Sequence, residues 1–296
     1  GYTREQIVEG SVLGVAHARK LLGERGQVEF SFQNATNSPL EWMIEGYKKM
    51  VEAGANVINV PDTVGYKLPH EIGIIISILR GEVPDYVMIS IHCHNDLGLA
   101  TANSLTAVMA GADIVECTIN GIGERAGNAS LEEVVMGIVT RKDPFGRVVG
   151  VITEMLNPLS KLVSFHYKMP VQENKSIVGA NAFRHRAGIH QAGMLKGGIY
   201  EIINPKQVGW DGESIELSQQ SGYRGVSFRL TRLGYKVSEE DRTQIMPIFK
   251  ALSDERVSVT DTDLVCIMDT INGCGKNGYQ FVDIAIKTEG VSGGYI

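Results

Sequence analysis

The feature that most constrains this chain is a recurring pair of elements, an apolar β-branched segment followed by a helical pattern. Four such segments occur, at 27–32 (QVEFSF), 56–60 (NVINV), 86–92 (YVMISIH) and 113–118 (DIVECT). Their starts are spaced by about thirty residues, the length of one βα unit. Strands that alternate with helices at this spacing predict an α/β fold, with a parallel sheet and helices outside it.

The best-marked helix is predicted to start at Ser38, which is placed to cap it. Pro39 would occupy the first helical position, apolar residues follow at helical spacing, and Gly54 ends the pattern. Further helices are predicted to start near Pro69, Leu99 and Ser130.

The chain opens with a long amphipathic helix, in which Thr3 and Gln6 are placed as a capping box. No strand comes before this helix, and four βα units do not close an eight-stranded barrel. We therefore expect the sequence to be the later part of a larger fold. A doubly wound domain that begins with a helix is the alternative.

The alternation of strands and helices ends after about residue 143, where helical segments mix with loops rich in glycine and histidine. Near the end, GYQFVDIAIKTEG (278–290) alternates apolar and polar residues as a strand does. We predict three regions: a partial barrel over 1–148, mainly helical linker subdomains over 149–275, and the start of a further domain over 276–296.

Composition argues against several classes of partner. The formal net charge of −6 and the pI near 5.7 provide no basic surface for nucleic acid. No apolar run has the length that a membrane span needs, so we expect no membrane partner. The four cysteines form no CxxC pair, which favours reduced thiols and a cytoplasmic location.

The stretch SIHCHND places two histidines one residue apart at the end of the third predicted strand. His92 and His94 therefore share one face of the strand, while Cys93 points to the other. The carboxyl ends of parallel strands form the functional face of such folds, so the pair predicts a metal site. Asn95 and Asp96 are expected to orient the imidazoles from behind. Two core histidines bonded to backbone groups are the alternative.

The fourth strand leads into a glycine-rich loop, TINGIGERAGN (118–128). Asn128 can be interpreted as the cap of the next helix. It can equally supply an oxygen ligand one strand away from His92 and His94, with the Glu124 carboxylate in the same loop. Adjacent strands lie about 5 Å apart, so convergence on one cation is feasible.

Four motifs occur together in the order INVPDTVGY, HCHNDLGLATANS, TINGIGERAGN and GANAFRHRAGIHQAG. They resemble the acyl-CoA-dependent Claisen enzymes of the 2-isopropylmalate and homocitrate synthase family, and the resemblance covers nearly the whole chain. It implies the C-terminal half of a TIM (β/α)8 barrel, strands 5 to 8, followed by a mainly helical linker subdomain. The last region would begin a C-terminal regulatory domain, and a homodimer is the family expectation.

The resemblance also implies a set of metal ligands. His92, His94 and Asn128 match three ligands of a divalent cation, with Mg²⁺, Mn²⁺ and Zn²⁺ all compatible with two imidazoles and oxygen. The family's fourth ligand is an aspartate in an Arg-Asp-Gly motif on the first barrel strand, and this sequence contains no such motif. That absence fits the expectation that the first half of the barrel is missing.

Catalytic and substrate positions follow from the same resemblance. His190 and Tyr200 match residues that transfer protons or activate water, and Ser31 and Thr63 match strand-end positions near a 2-keto acid. Glu124, in the glycine-rich loop, is a further candidate for the proton transfer. Taken alone, all five are ordinary loop or strand residues.

Gln33 departs from the family pattern. Where the family commonly reads Ser-Pro-Glu-Asp, this chain reads Ser-Phe-Gln-Asn at 31–34. An amide at this catalytic position cannot ionise. The loss of a general base could cost about a hundred- to ten-thousand-fold in rate.

Three functions are consistent with the sequence. The first is an acyltransferase that condenses acetyl-CoA with 2-oxoisovalerate to give 2-isopropylmalate, or a homocitrate or citramalate synthase of the same family. The second is a lyase such as hydroxymethylglutaryl-CoA lyase, whose reactive cysteine sits in a glycine-rich loop; here only Cys274 does, far downstream. The third is a catalytically impaired paralogue or fragment, favoured by Gln33.

Overall fold

The computed structural model describes residues 1–185, 202–212, 217–255 and 258–272, and within them four parallel strands form one sheet in the order β1-β2-β3-β4. The strands are β1 (Glu29–Ser31), β2 (Val57–Asp62), β3 (Met88–Cys93) and β4 (Ile114–Glu116). Each starts one or two residues after its predicted start. The predicted α/β class with a parallel sheet is confirmed.

Helices follow each strand and flank the sheet. The α-helices are α1 (Arg4–Leu22), α2 (Leu40–Glu52), α3 (Pro69–Glu82), α4 (Ala100–Met109), α5 (Leu131–Thr140), α6 (Lys142–Phe145), α7 (Leu156–Tyr167), α8 (Tyr223–Arg232), α9 (Arg242–Glu255) and α10 (Asp261–Ile271). Single 3₁₀ turns lie at Ala35–Asn37, Ile119–Gly121, Thr153–Met155 and Pro205–Val208.

Two helix starts test the predicted caps. The capping box of α1 is present, because Thr3 Oγ1 accepts the Gln6 N–H and Gln6 Oε1 accepts the Thr3 N–H. The prediction for α2 is wrong by one residue: the helix begins at Leu40 with Pro39 in the cap position. The Ser38 hydroxyl donates to the Asn34 carbonyl instead, which closes the preceding 3₁₀ turn.

The two faces of the sheet have opposite character. One face carries Ile58, Val60, Ile89 and Ile91, which are fully buried in the core formed with the flanking helices. The strand register places Ser31, Asn59 and Ser90 side by side on the other face, followed by Pro61, His92 and Glu116 in the next layer. Because parallel neighbours in register point the same way, this second face is polar towards the carboxyl ends of the strands.

The described residues form two compact units. The first comprises residues 1–183 and 202–212 and contains the sheet. The second comprises 184–185, 217–255 and 258–272, where α8, α9 and α10 enclose a separate core around Val226, Leu230 and Phe249. No helix in these ranges combines the length and the apolar character needed to cross a bilayer.

The region boundaries at 148 and 275 remain predictions. His190, Tyr200, Cys274 and the strand predicted at 278–290 lie outside the described residues.

Candidate metal centre

The end of β3 presents two imidazoles on the polar face of the sheet. The ring centroids of His92 and His94 lie 4.8 Å apart, with their planes at 75°. Cys93 between them is fully buried in the hydrophobic core on the other face, as the alternation of the strand predicted.

Asn128 is paired with His94 across an isolated antiparallel bridge. The Asn95 N–H donates to the Gly127 carbonyl at 2.8 Å, and the Ala129 N–H donates to the Cys93 carbonyl at 3.1 Å. These bonds flank the pair, so His94 and Asn128 form a non-hydrogen-bonded pair, the arrangement that brings opposite side chains closest together. The structure therefore brings His92, His94 and Asn128 together, as predicted.

Glycines allow the loop that carries Asn128 to fold this tightly. Gly127 has φ +89°, and a Cβ there would lie 2.0 Å from the Gly121 carbonyl oxygen. A Cβ on Gly123 would lie 2.6 Å from Asn128 Nδ2. Any larger residue at either position would displace the Asn128 side chain or the backbone that holds it.

The cap interpretation of Asn128 is wrong. The residue at the N-cap of α5 is Ser130, two positions further on, and Asn128 lies in the bridge to His94. Asn128 Nδ2 donates to the Ile122 carbonyl at 3.4 Å, which leaves its oxygen for another partner.

A carboxylate that the sequence had not singled out contacts one of the histidines. Glu116, opposite His92 in the register of β3 and β4, places Oε2 at 2.7 Å from His92 Nδ1, within ion-pair distance but without a hydrogen bond between the two atoms. Its other oxygen accepts from Asn59 Nδ2 at 3.0 Å. A carboxylate behind a histidine is the usual support of a metal-ligating imidazole, and it leaves His92 Nε2 for a cation.

Asn95 and Asp96 do not play the supporting role predicted for them. Asn95 Oδ1 accepts the Ala100 N–H at the start of α4. Asp96 accepts two hydrogen bonds from Arg125, at 2.8 and 3.0 Å, and this guanidinium holds the pKa of Asp96 below its usual range. Arg125 also donates to the Thr63 carbonyl at 2.7 Å, so it joins the loops that follow β2, β3 and β4.

The environment of His94 favours its neutral form. Burial lowers the pKa of this imidazole, and the neighbouring His92 and Arg125 lower it further. Neutral imidazole is the form that binds metal ions.

The three predicted ligands share one further property. His92 Nδ1, His94 Nδ1 and Asn128 Oδ1 are all buried, and none of them has a hydrogen-bond partner. Buried polar atoms are rarely left without partners. The unpartnered His94 Nδ1 and Asn128 Oδ1, together with the Nε2 that the Glu116 contact leaves open on His92, fit three positions around a divalent cation. In the described ranges, no three His, Cys, Asp or Glu side chains cluster to hold a metal by themselves.

The other predicted site residues lie around this centre with different partners. Ser31 is exposed at the end of β1, and Gln33 is exposed two residues later. Thr63 Oγ1 accepts the Asn34 N–H at 2.9 Å. Glu124 is 83% exposed, with its nearest cation Arg125 at 3.6 Å. Their roles remain predictions.

Comparison with known proteins identifies the family. The sequence model of the HMGL-like family matches residues 1–163, and that of the homocitrate synthase post-HMGL domain-like family matches residues 177–257. The chain belongs to the HMGL-like family.

Relatives of this HMGL-like chain include several 2-isopropylmalate synthases. The chain is 48% identical over 269 residues to a 2-isopropylmalate synthase of Carboxydothermus hydrogenoformans, covering 90% of this chain and 52% of that one. A 2-isopropylmalate synthase of Pelotomaculum thermopropionicum is 46% identical, with 90% and 53% covered. For 2-isopropylmalate synthase 1 of Caldanaerobacter subterraneus the identity is 43%, with 90% and 67% covered. The chain spans about half the length of the first two relatives.

A solved HMGL-like relative supports the fold. The hydroxymethylglutaryl-CoA lyase of Bacillus subtilis superposes with a TM-score of 0.50 at 19% identity, covering 57% of this chain and 58% of that chain. At this identity the likeness concerns the fold alone, and it supports the predicted TIM-barrel class.

We expect Gly127→Ala to disrupt this centre, because the new Cβ cannot fit beside the Gly121 carbonyl. The affinity for Co²⁺, followed by its visible absorption, should fall about tenfold or more. Gly81→Ala in α3 is the control, since a Cβ there meets no atom within 4 Å. Unchanged Co²⁺ binding by the Gly127 variant would contradict the geometry of the loop.

The lowered pKa of His94 predicts a pH dependence of stability in the absence of metal. Below the ordinary histidine pKa of 6.5, the unfolded chain takes up a proton that folded His94 resists, so the free energy of unfolding falls as the pH decreases through this range. Urea unfolding in EDTA at about pH 7.5 and about pH 5.5 should show a smaller fall for His94→Gln than for the wild type. The exposed His17→Gln serves as the surface control; equal falls in the wild type and His94→Gln would refute the assignment.

Proposed function

We propose that this chain carries the metal-binding part of the active site of an isopropylmalate or homocitrate synthase-type acyltransferase. The specific reaction proposed is the condensation of acetyl-CoA with 2-oxoisovalerate to give 2-isopropylmalate. The observation that carries the proposal is the pairing of Asn128 with His94 beside His92, with buried unpartnered atoms on His94 and Asn128 and the Glu116 carboxylate behind His92.

The proposed cofactor is a divalent cation, Mg²⁺, Mn²⁺ or Zn²⁺, held by His92, His94 and Asn128. When bound, it would supply Lewis acidity toward a carbonyl oxygen, worth several kcal/mol as negative charge develops there. Glu116 would hold the His92 ring in place and increase the basicity of the imidazole. Glu116 thereby has a positioning role behind the ligand.

The reaction needs a base, a positioned keto acid and a water molecule. A proton leaves the methyl group of acetyl-CoA, a carbon–carbon bond forms to the ketone carbon, and the ketone oxygen gains a proton. Water then cleaves the thioester and releases CoA. We assign the proton transfers and the water to Glu124, His190 and Tyr200, and the keto acid to Ser31 and Thr63, by resemblance to the family.

Gln33 supports a second candidate, an impaired member of the same family. An amide in place of the family glutamate can accept and donate hydrogen bonds but cannot remove a proton. The exposed position of Gln33 directly after β1 leaves its side chain accessible from solvent. Homocitrate and citramalate synthases stay as alternatives in the choice of keto acid.

The protein is proposed to work in the cytoplasm. Its proposed small-molecule partners are acetyl-CoA and a 2-keto acid, and its proposed assembly is a homodimer. Cys93, Cys117 and Cys266 are free thiols in the described part of the chain, which supports a reducing compartment.

We expect the isolated chain to release little CoA from acetyl-CoA, because it lacks an Arg-Asp-Gly motif. Fusing it behind the N-terminal residues that precede the match in the Carboxydothermus hydrogenoformans relative should restore release. The measurement is thiol release with a panel of 2-keto acids, and 2-oxoisovalerate should give the highest kcat/KM.

The control is the same fusion with His92→Ala and His94→Ala, which should release no CoA above background. A fusion that binds metal but releases no CoA with any keto acid would leave the impaired paralogue as the function. High activity of the isolated chain would contradict the ligand assignment.

In the active fusion, Gln33→Glu should raise the rate of CoA release by about a hundredfold or more, because it restores an ionisable group. Asn37→Asp, an exposed amide-to-acid change in the following 3₁₀ turn, is the matched control and should leave the rate unchanged. Equal rates for the wild type and Gln33→Glu would show that another group performs the step.

A further inference from the structure

A half-buried ammonium lies beside the loop that carries Asn128. Lys175, whose side chain is 17% exposed, donates to Ser130 Oγ at 2.6 Å and to Glu133 Oε1 at 2.8 Å. Its Nζ also lies 3.6 Å from Glu132 Oε1, and the Glu132 side chain is 2% exposed. The Lys175 ammonium therefore contacts Ser130, the N-cap residue of α5, and two carboxylates in the first turn of that helix.

The partners of Lys175 hold both ends of the Asn128 loop. Glu132 Oε2 accepts the N–H of Asn120, a residue in the left-handed region with φ 61°. Asn120 Nδ2 in turn donates to the Ser160 carbonyl of α7 at 3.0 Å. Ser130 lies at the other end of the loop, two residues after Asn128.

The segment that presents Lys175 is itself tightly folded. The Gly179 N–H donates to the Lys175 carbonyl at 3.0 Å, and the Asn181 N–H donates to the Glu173 carbonyl at 2.8 Å. A Cβ on Gly179 would lie 2.5 Å from both carbonyl oxygens. Lys175 thus lies in a compact loop, 172–181, which ends nine residues before His190 in the sequence.

Asn128 has little else to fix its side chain. In the described part of the chain its side chain makes one hydrogen bond, the long one from Nδ2 to the Ile122 carbonyl at 3.4 Å, while its backbone N–H donates to the Gly121 carbonyl at 2.9 Å. The position of its oxygen therefore depends on the backbone of the loop. Backbone hydrogen bonds of Gly127 and Ala129 hold this loop against the end of β3, and Glu132 and Ser130 join it near its two ends to Lys175. Burial raises the pKa of Glu132, and the nearby Lys175 ammonium opposes that shift.

We propose that Lys175 is a positioning residue of the metal centre, which ties the 172–181 segment to the Asn128 loop and so holds the Asn128 oxygen against His94. The inference rests on the proposed function, because it assigns Lys175 a role in metal binding. Lys175 acts through Asn128 and makes no contact with substrate or metal itself.

The test is a Co²⁺ titration of the full chain, with the visible absorption of Co²⁺ as the readout. Lys175→Met should lower the affinity about tenfold or more and alter the spectrum of the saturated site, because one oxygen ligand is displaced. Lys175→Arg, which keeps the charge, should fall between the wild type and Lys175→Met. Lys161→Met is the matched control and should bind Co²⁺ like the wild type, because it removes an exposed lysine of α7 whose partner is Asp211.

Lys175→Met leaves Glu132 as an unpaired buried carboxylate, so it can also destabilise the fold. The double variant Lys175→Met with Glu132→Gln removes that charge while keeping an acceptor for the Asn120 N–H. Its thermal unfolding midpoint should approach that of the wild type, and its Co²⁺ affinity should stay lowered.

The outcomes separate the two proposals. Wild-type binding of Co²⁺ with unchanged affinity and spectrum in the double variant would overturn the role of Lys175 and leave the metal centre standing. No Co²⁺ binding by the wild type would overturn both.

Discussion

Two backbone hydrogen bonds determine whether this site exists. They join Asn95 to Gly127 and Ala129 to Cys93, and they bring the loop after β4 back against the end of β3. Without them, His94 and Asn128 would belong to separate loops with no defined separation. With them, the His94 imidazole and the Asn128 amide become nearest neighbours across an antiparallel bridge at the end of the parallel sheet.

Charge around the centre is arranged in layers. The carboxylate of Glu116 lies behind His92 and also accepts from Asn59, so negative charge sits deep on the polar face. Glu29, lower on that face, has its pKa raised by burial and by the Glu116 charge. At the rim, Arg125 and Asp96 neutralise each other. The two imidazoles lie between the Glu116 carboxylate and the paired Arg125 and Asp96, an arrangement that suits a cation.

Sequence patterns predicted correctly those features that depend only on residues close together in the chain. The capping box of Thr3 follows from residues three apart, and the shared face of the histidines follows from strand alternation. The local pattern left Asn128 open between a helix cap and a ligand, because asparagine and serine are both good helix caps and Ser130 lies two residues away; the family resemblance made the ligand assignment. Glu116 could have been found as a polar residue inside an apolar strand. Its contact with His92 depends on the register of two strands, which the sequence does not specify locally.

The burial of Cys93 links the integrity of the fold to the integrity of the site. If β3 slid by one position against its neighbours, the thiol would turn towards solvent and two imidazoles would enter a hydrocarbon environment. Such a slip would be penalised by the loss of core packing before any chemistry was attempted. The packing that buries Cys93 therefore also selects the register in which both imidazoles reach the polar face together.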